Sequence, residues 1–585
     1  MKSRPRLAVA AVGAFALVAA MLGACSQKTQ EGEQGGQGFT ETQGVIATDP
    51  KDSQGPAPAV QGATKGGTLR IIQADDYEHL DPQRNYTLNA TALGHLIYRT
   101  LTAFRDDGKG KLTLVGDLAT SPGKDVNKDC KIWEYTLKDN LKFEDGTPIT
   151  ADDVAFGITR SFDPDLSDGA TYVQAWMADS GDYNATYKGP YKSADAKAPG
   201  LEVKDAKTLV FTFQTPRCDT PYAMSMNTTV PVPKAKDTKD KYDDRPFASG
   251  PYKIKEYSKG RQLVLERNSN WDPNTDPIRH DYPDQVFVEI GPDQTQSSER
   301  VVADRGDDQF AIAHDGIPQG LVPTVYRKPE YANRVIDAPT GLVWRISINN
   351  DRVKDLKVRQ AIAFALDKQG ILDVFGGQAA GTITHQILPE GTIGYKKYPN
   401  PYDGGPNGDP EKAKTLLGGQ KVKLVMLCRQ VDEPYLKACN VVKTSLERAG
   451  IEVVVTPIVR NQHNPTTERR GNPYDIYMPG WAPDWPSPAS TLPVLFDGRS
   501  LVATGNSNNA YFNELTDEFA RIEKLNANEA PPEYMKLDER IIKEYCPAVP
   551  IFQARNLLIM GSKVGGVFNS DAIGQEVYYN AYLKQ

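Results

Sequence analysis

Apolar and polar positions along this chain follow two periods, and the period changes from stretch to stretch. Leu93, Leu96, Ile97 and Leu101 recur at helical spacing and predict a helix in TALGHLIYRTL. Trp133, Tyr135 and Leu137 alternate, as in a half-buried strand. Thr150 with Asp153 three residues on predicts a capped helix start; that helix carries Val154, Ile158 and Phe162 and stops at Pro164. Residues 201–216 predict a hairpin turning at Asp205-Ala206, and 248–271 predict two more strands around a Ser-Lys-Gly turn. Strands are also expected at 284–290 and 342–350, followed by a helix that buries Val358, Ile362, Ala365 and Leu366. Residues 421–456 read strand, amphipathic helix, strand, the βαβ signature. Helices at 513–526 and 532–545 and a strand pair at 549–561 complete the pattern. Residues 165–200 and 391–410 read as loop-rich segments.

A chain of 585 residues exceeds what one core serves, so at least two domains are expected. The elements are mixed α/β twice over. Charged residues make up 24% and the net charge is -7, so there is no electrostatic reason to bind nucleic acid. Enzyme motifs are missing from the sequence: the six histidines include no HExxH, and neither a GxSxG elbow nor a GxxxxGK[ST] loop occurs. No cofactor or metal is expected.

The N-terminus reads as processing information. MKSRPR precedes an apolar run from Leu7 to Leu22, too short to span a bilayer and suited to a signal peptide over residues 1–24. Leu22-Gly23-Ala24-Cys25 resembles a bacterial lipobox, which makes Cys25 the expected lipidated N-terminus. Residues 25–65 hold few large apolar side chains and read as a flexible tether. The body is then expected outside the cytoplasmic membrane, anchored to its outer face. In such an oxidising compartment Cys428–Cys439 and Cys130–Cys218 are the expected disulfides, with Cys546 the odd, buried thiol; the alternative is that they stay reduced.

The stretch YDIYMPGWAPDWPSPASTLPVLFDG, Tyr474 to Gly498, is the candidate site. A strand at 475–478 breaks at Gly480 into a loop stiffened by prolines 483, 486 and 488. It carries Asp484 between Trp481 and Trp485. A carboxylate among indoles suits a cationic group of a solute. Solvated-turn and core-packing roles are the alternatives.

Four blocks together resemble the extracellular solute-binding proteins of ABC importers in the peptide/nickel class: FEDGTPITADDVAFGITRSF, SGPYKIKEYSKGRQLVLERNSNW, VRQAIAFALDKQGILDVFGG and YDIYMPGWAPDWPSP. The resemblance implies a two-lobed, periplasmic-binding-protein-like α/β fold of type II. It implies lobe I from 66–87, 225–336 and 553–585, an inserted subdomain at 88–224, and lobe II at 337–552. It implies a monomeric receptor that delivers di- or oligopeptides to a membrane permease pair driven by an ATPase. Asp484 matches the position that accepts a peptide α-ammonium, and Asp81 and Tyr77 match the first-lobe loop bordering the cleft. The alternatives are a non-peptide solute (an oligosaccharide, a cationic metabolite or a metal chelate) and, from another class, an adhesive lipoprotein or a hydrolase on the same fold.

Overall fold

A central sheet runs through the chain from one end of the body to the other. The computed structural model describes residues 43–108, 111–166, 168–193, 198–430, 433–499, 509–570 and 574–585. The signal peptide, Cys25 and the tether up to residue 42 lie outside the described residues. Twelve strands among the described residues form this sheet. Its order from one edge is Ile451–Ile458, Val422–Arg429, Ile476–Tyr477, Val335–Ile348, Ala548–Met560, Ala311–Ala313, Thr68–Gln73, Gln285–Ile290, Gln262–Arg267 and Tyr252–Ser258; Gly480–Trp481 and Gly381–Ile383 pair alongside.

Two long antiparallel strands, Val335–Ile348 and Ala548–Met560, join the two halves. Their register breaks between Pro339 and Val343. On one side of the break Ile336, Leu558 and Met560 enter a core with Leu69, Ile71, Leu263 and Val288. On the other, Ile346, Ile348, Val549 and Ile551 enter a core with Met426, Val442 and Ile451. The expected strand pair at 549–561 is thus one continuous strand of 13 residues. It is continuous because it serves both cores, pairing with Val335–Ile348 on either side of the register break.

Many predicted elements form as their residues dictate. The helix Ala151–Arg160 opens with the Thr150 amide donating to Asp153 Oδ2 at 2.8 Å. The βαβ unit consists of Val422–Arg429, the helix Glu433–Arg448 and Ile451–Ile458, with its two strands parallel. Asp409 caps the helix Pro410–Leu417.

Three expectations need correction. Residues 43–65 are not tether: Gln43–Ile46 pairs in parallel with Lys111–Leu114, Ser53 is buried and accepts the Gly116 amide at 2.8 Å, and Gly55 donates to the Asn274 carbonyl at 3.1 Å. Short polar segments bind through their backbone where a sheet edge offers partners, which composition does not reveal. The insertion does not begin at residue 88, because the helix Leu88–Ile97 sends Leu93, Leu96 and Ile97 into the Leu69–Val288 core. Finally, the loop-rich segment 165–200 contains the helix Tyr172–Ala178. Its Trp176 and Val173 pack into a separate core with Trp133, Tyr135, Phe162 and Phe211.

Cys130 is bonded to Cys218, closing part of that core's periphery, and Cys428 is bonded to Cys439 between a strand and the following helix. Cys546 is a buried free thiol. Among the described residues no helix is long and apolar enough to cross a membrane.

Candidate functional site

The loop that follows Tyr477 is fixed at both ends by the sheet. Ile476 and Tyr477 pair with Ile348 and Ser347; Gly480 and Trp481 pair with Trp344 and Val343. A Cβ at position 480 would lie 2.6 Å from Leu342 Cδ1, so a larger residue there would have to displace the tip of the Leu342 side chain. The Trp481 indole then donates to the Ser490 carbonyl at 3.2 Å, and Ser490 Oγ donates back to the Trp485 carbonyl at 2.8 Å. Ile393 N–H donates to the Pro486 carbonyl at 2.7 Å. These bonds and the prolines hold residues 481–490 in one shape.

Asp484 projects from this loop toward the opposite half of the molecule. The Tyr86 hydroxyl donates to its Oδ1 at 2.6 Å, and the Tyr172 hydroxyl donates to Oδ2. Among the described residues no Lys, Arg or His forms an ion pair with Asp484. Burial pushes its carboxyl pKa up, and the Tyr172 and Tyr86 hydrogen bonds oppose that shift. Burial and the neighbouring Asp484 charge raise both tyrosine pKa values, so both hydroxyls stay protonated and act as donors.

Trp485 is almost completely enclosed, at 1% exposure, in the core that holds Trp133 and Phe211. Its ring lies edge-on to Tyr172 at 4.7 Å and to Trp176 at 6.1 Å. Its Nε1 donates to Asp219 Oδ2 at 2.9 Å. Burial pushes the Asp219 carboxyl up, offset by donation from Trp485 and Ser487. Beside this contact lies a cavity of about 200 Å³ lined by Leu88, Thr340, Gly341, Ala482, Pro483 and Arg555. The register break of the two long strands therefore opens onto the Asp484 loop. A second cavity of about 290 Å³ lies across the same strand, lined by His314, Asp315, Phe375, Arg555 and Asn556. His314 Nδ1 lies 2.5 Å from Glu576 Oε1, and that carboxylate raises the imidazole pKa against the effect of burial.

The structure brings Asp484 and Trp485 together on Tyr172, turns Trp481 toward Ser490 and the core around Leu492 and Phe519, and leaves two expected site residues elsewhere. Asp81 is wholly buried, with both oxygens on Arg160 at 2.5 and 2.8 Å, and it accepts the Gln83 amide. A carboxylate so fully engaged has no oxygen left for a solute, so its role is structural. Tyr77 is buried in the core around Leu69 and Ile71 and does not line either cavity. Arg469 and Arg470, just before the Tyr474–Gly498 stretch, are exposed. Tyr86, Tyr172 and Asp219 were not singled out from the sequence. Each is a common residue in a loop or at a helix start, and the chain has 27 tyrosines, so no local pattern marks them. Among the described residues no group of three or more His, Cys, Asp or Glu is placed to hold a metal ion.

Known proteins resemble this chain in sequence and fold. A probable D,D-dipeptide-binding periplasmic protein, DdpA of Escherichia coli K12, is 27% identical over 534 residues, covering 88% of this chain and 93% of its own length. The periplasmic oligopeptide-binding protein OppA of Salmonella typhimurium is 24% identical, covering 80% of this chain and 86% of its own. The solved structure of clavulanic acid biosynthesis oligopeptide binding protein 2 superposes with a TM-score of 0.81 at 25% identity, covering 89% of this chain and 96% of that one. The two-lobed α/β architecture is that of periplasmic binding proteins, whose role is solute reception rather than catalysis. The family profile described as "Bacterial extracellular solute-binding proteins, family 5 Middle" matches residues 113–500, and the chain belongs to that family.

Proposed function

We propose that this chain is an extracytoplasmic receptor that captures di- and oligopeptides between its two lobes and delivers them to an ABC permease pair in the membrane. Asp484 carries this reading. A carboxylate raised by burial, donated to by two hydroxyls and without an ion-pairing cation among the described residues, is suited to a ligand α-ammonium. The names of the relatives, a D,D-dipeptide-binding and an oligopeptide-binding protein, support peptide as the solute class. Among the described residues Gly480–Trp481 pairs on one side only, with Val343–Trp344, and its other edge offers backbone groups to an extended peptide, which gives affinity without regard to its sequence.

Capture works by closure. The lobes move about the register break between Pro339 and Val343, and a ligand that contacts both selects the closed arrangement. The Leu22–Cys25 sequence supports anchoring through a lipidated Cys25. Burial of Trp485 in packing removes the paired exposed indoles that motivate a sugar ligand.

Native mass spectrometry of the mature protein, purified gently from its source, tests this reading. The expected result is a ladder of bound masses that resolve into sums of amino-acid residues. A single bound non-peptide mass contradicts it.

A further inference from the structure

The strand Gln43–Ile46 reaches from one part of the molecule to another. It pairs in parallel with Lys111–Leu114. Its inner end is pinned by Ala47, whose amide donates to the Leu114 carbonyl at 2.9 Å and whose side chain enters the core around Leu69 and Val288. Ile46 packs against the separate core that holds Trp133 and Phe211. At Gly44 the strand meets Ile393. A Cβ built on Gly44 would lie 2.1 Å from Ile393 Cδ1, 2.3 Å from Cγ1 and 3.2 Å from Cγ2, so the isoleucine lies against bare strand backbone. Extended backbone at position 44 suits any residue; Ile393 is what excludes a side chain there.

Ile393 parts company with its sequence neighbours. Ile387 and Leu388 lie in the core with Leu492 and Phe519, whereas Ile393 enters the Trp133–Phe211 core, where Trp485 also lies. The two are linked, because the Ile393 amide donates to the Pro486 carbonyl at 2.7 Å. The other end of this segment is tied to the long strand Ala548–Met560. The Glu390 amide donates to Gln553 Oε1 at 2.9 Å, and Gln553 Nε2 donates to the Glu390 carbonyl at 3.0 Å. Residues 389–392, together with Ala482 and Pro483, line the cavity of about 200 Å³. This cavity wall therefore rests on three supports: the long strand, the Asp484 loop and the backbone of Gln43–Ile46.

We infer that Gln43–Ile46 is a strap for closure, and that Gly44 and Ile393 are positioning residues for solute capture. The strand seats Ile393, and with it the cavity wall and the Asp484 loop, when the two lobes come together. This rests on the capture-by-closure reading above. In the open arrangement Gly44 and Ile393 part, so the contact adds to the affinity for solute and not to the stability of the unliganded fold.

Titration calorimetry of the full mature protein with trialanine tests the strap, using Gly44→Val, Ile393→Ala and the two combined. Valine suits a strand, and the carbons gained at position 44 equal those lost at position 393. Gly44→Val overpacks the closed contact and is expected to weaken binding by roughly tenfold, with the unliganded Tm unchanged. The combined variant is expected to recover most of that loss, a coupling that independent damage at two sites does not produce. Wild-type affinity in Gly44→Val, a Tm that falls along with the affinity, or no recovery in the combined variant refutes the strap and leaves the peptide reading standing. A second measurement needs no peptide. Gly44→Cys combined with Ile393→Cys places two thiols within disulfide reach, and mild oxidation is expected to join them, read by mass spectrometry of the linked fragments. Absence of that crosslink refutes the strap. If the wild type does not bind trialanine, the failure belongs to the peptide reading, and the crosslink alone decides the strap.

Discussion

The indole of Trp485 donates across the molecule to Asp219 at 2.9 Å, from a loop of the second lobe into the core that contains Trp133 and Phe211. Asp219 has no ion-pairing cation among the described residues, and its carboxyl is raised by burial. On the closure reading proposed above, this bond contributes to the closed arrangement rather than to either lobe alone. Substituting Trp485→Phe keeps an aromatic ring against Tyr172 and removes the donor. A hydrogen bond to a charged group contributes about 1.5–3 kcal/mol. Ligand affinity measured by calorimetry is therefore expected to fall by roughly tenfold or more, with Tm little changed. An unchanged Kd would show that the bond contributes nothing to closure.

The two disulfides constrain different loops. Cys130–Cys218 closes a sequence separation of 88 residues and Cys428–Cys439 one of 11. On the chain-entropy account they stabilise by about 4.6 and about 3 kcal/mol respectively. Replacing each pair by serine, with Tm and denaturant midpoints measured, is expected to show the larger loss for Cys130/Cys218. Equal losses, or a larger loss for Cys428/Cys439, would contradict the ordering.

Asp538 makes stability depend on pH. It is fully buried, and burial pushes its carboxyl from the ordinary range up to about 7. The folded protein therefore holds this proton at pH values where the unfolded chain has released it. Stability from this group is present below the unfolded pKa and is lost as pH rises from about 4 through about 7. Asp538→Asn is expected to raise Tm at pH 8 and to flatten the slope between pH 4 and 7. The same slope in both proteins would show that this carboxyl does not titrate as buried.

The periodic elements were legible from sequence because they express local rules. The Thr150–Asp153 cap, the strand–helix–strand at 422–458 and the helix beginning at Pro410 depend on neighbours in the chain. The Asp484 loop was legible as well, since prolines, tryptophans and a carboxylate in so short a span are uncommon. What surrounds Asp484 was not. Tyr86, Tyr172 and Asp219 come from positions 265 to 398 residues away, and they acquire meaning only when the lobes fold together. Trp485 reads from the sequence as ligand contact or core packing alike, because an indole gives the same signal in a core as in a cleft. Asp81 was misread for the opposite reason: its partner Arg160 lies 79 residues on, and a turn carboxylate does not announce a buried ion pair. The segment 43–65 reads as tether because its contacts come from backbone pairing and from small or polar side chains such as Asp52 and Ser53, which composition does not mark as packed.

Asp484 as acceptor of a peptide α-ammonium is the central claim, and the most direct measurement is calorimetric titration of the wild type and Asp484→Asn with one peptide in its free-amine and N-acetylated forms. The wild type is expected to bind the free amine at least tenfold more tightly than the acetylated form, from about 1.5–3 kcal/mol for the charge-assisted bond. Asp484→Asn is expected to lose that difference and to bind the acetylated peptide nearly as the wild type does. Equal binding of both forms by the wild type, or a preference for the free amine that survives Asp484→Asn, would contradict the account.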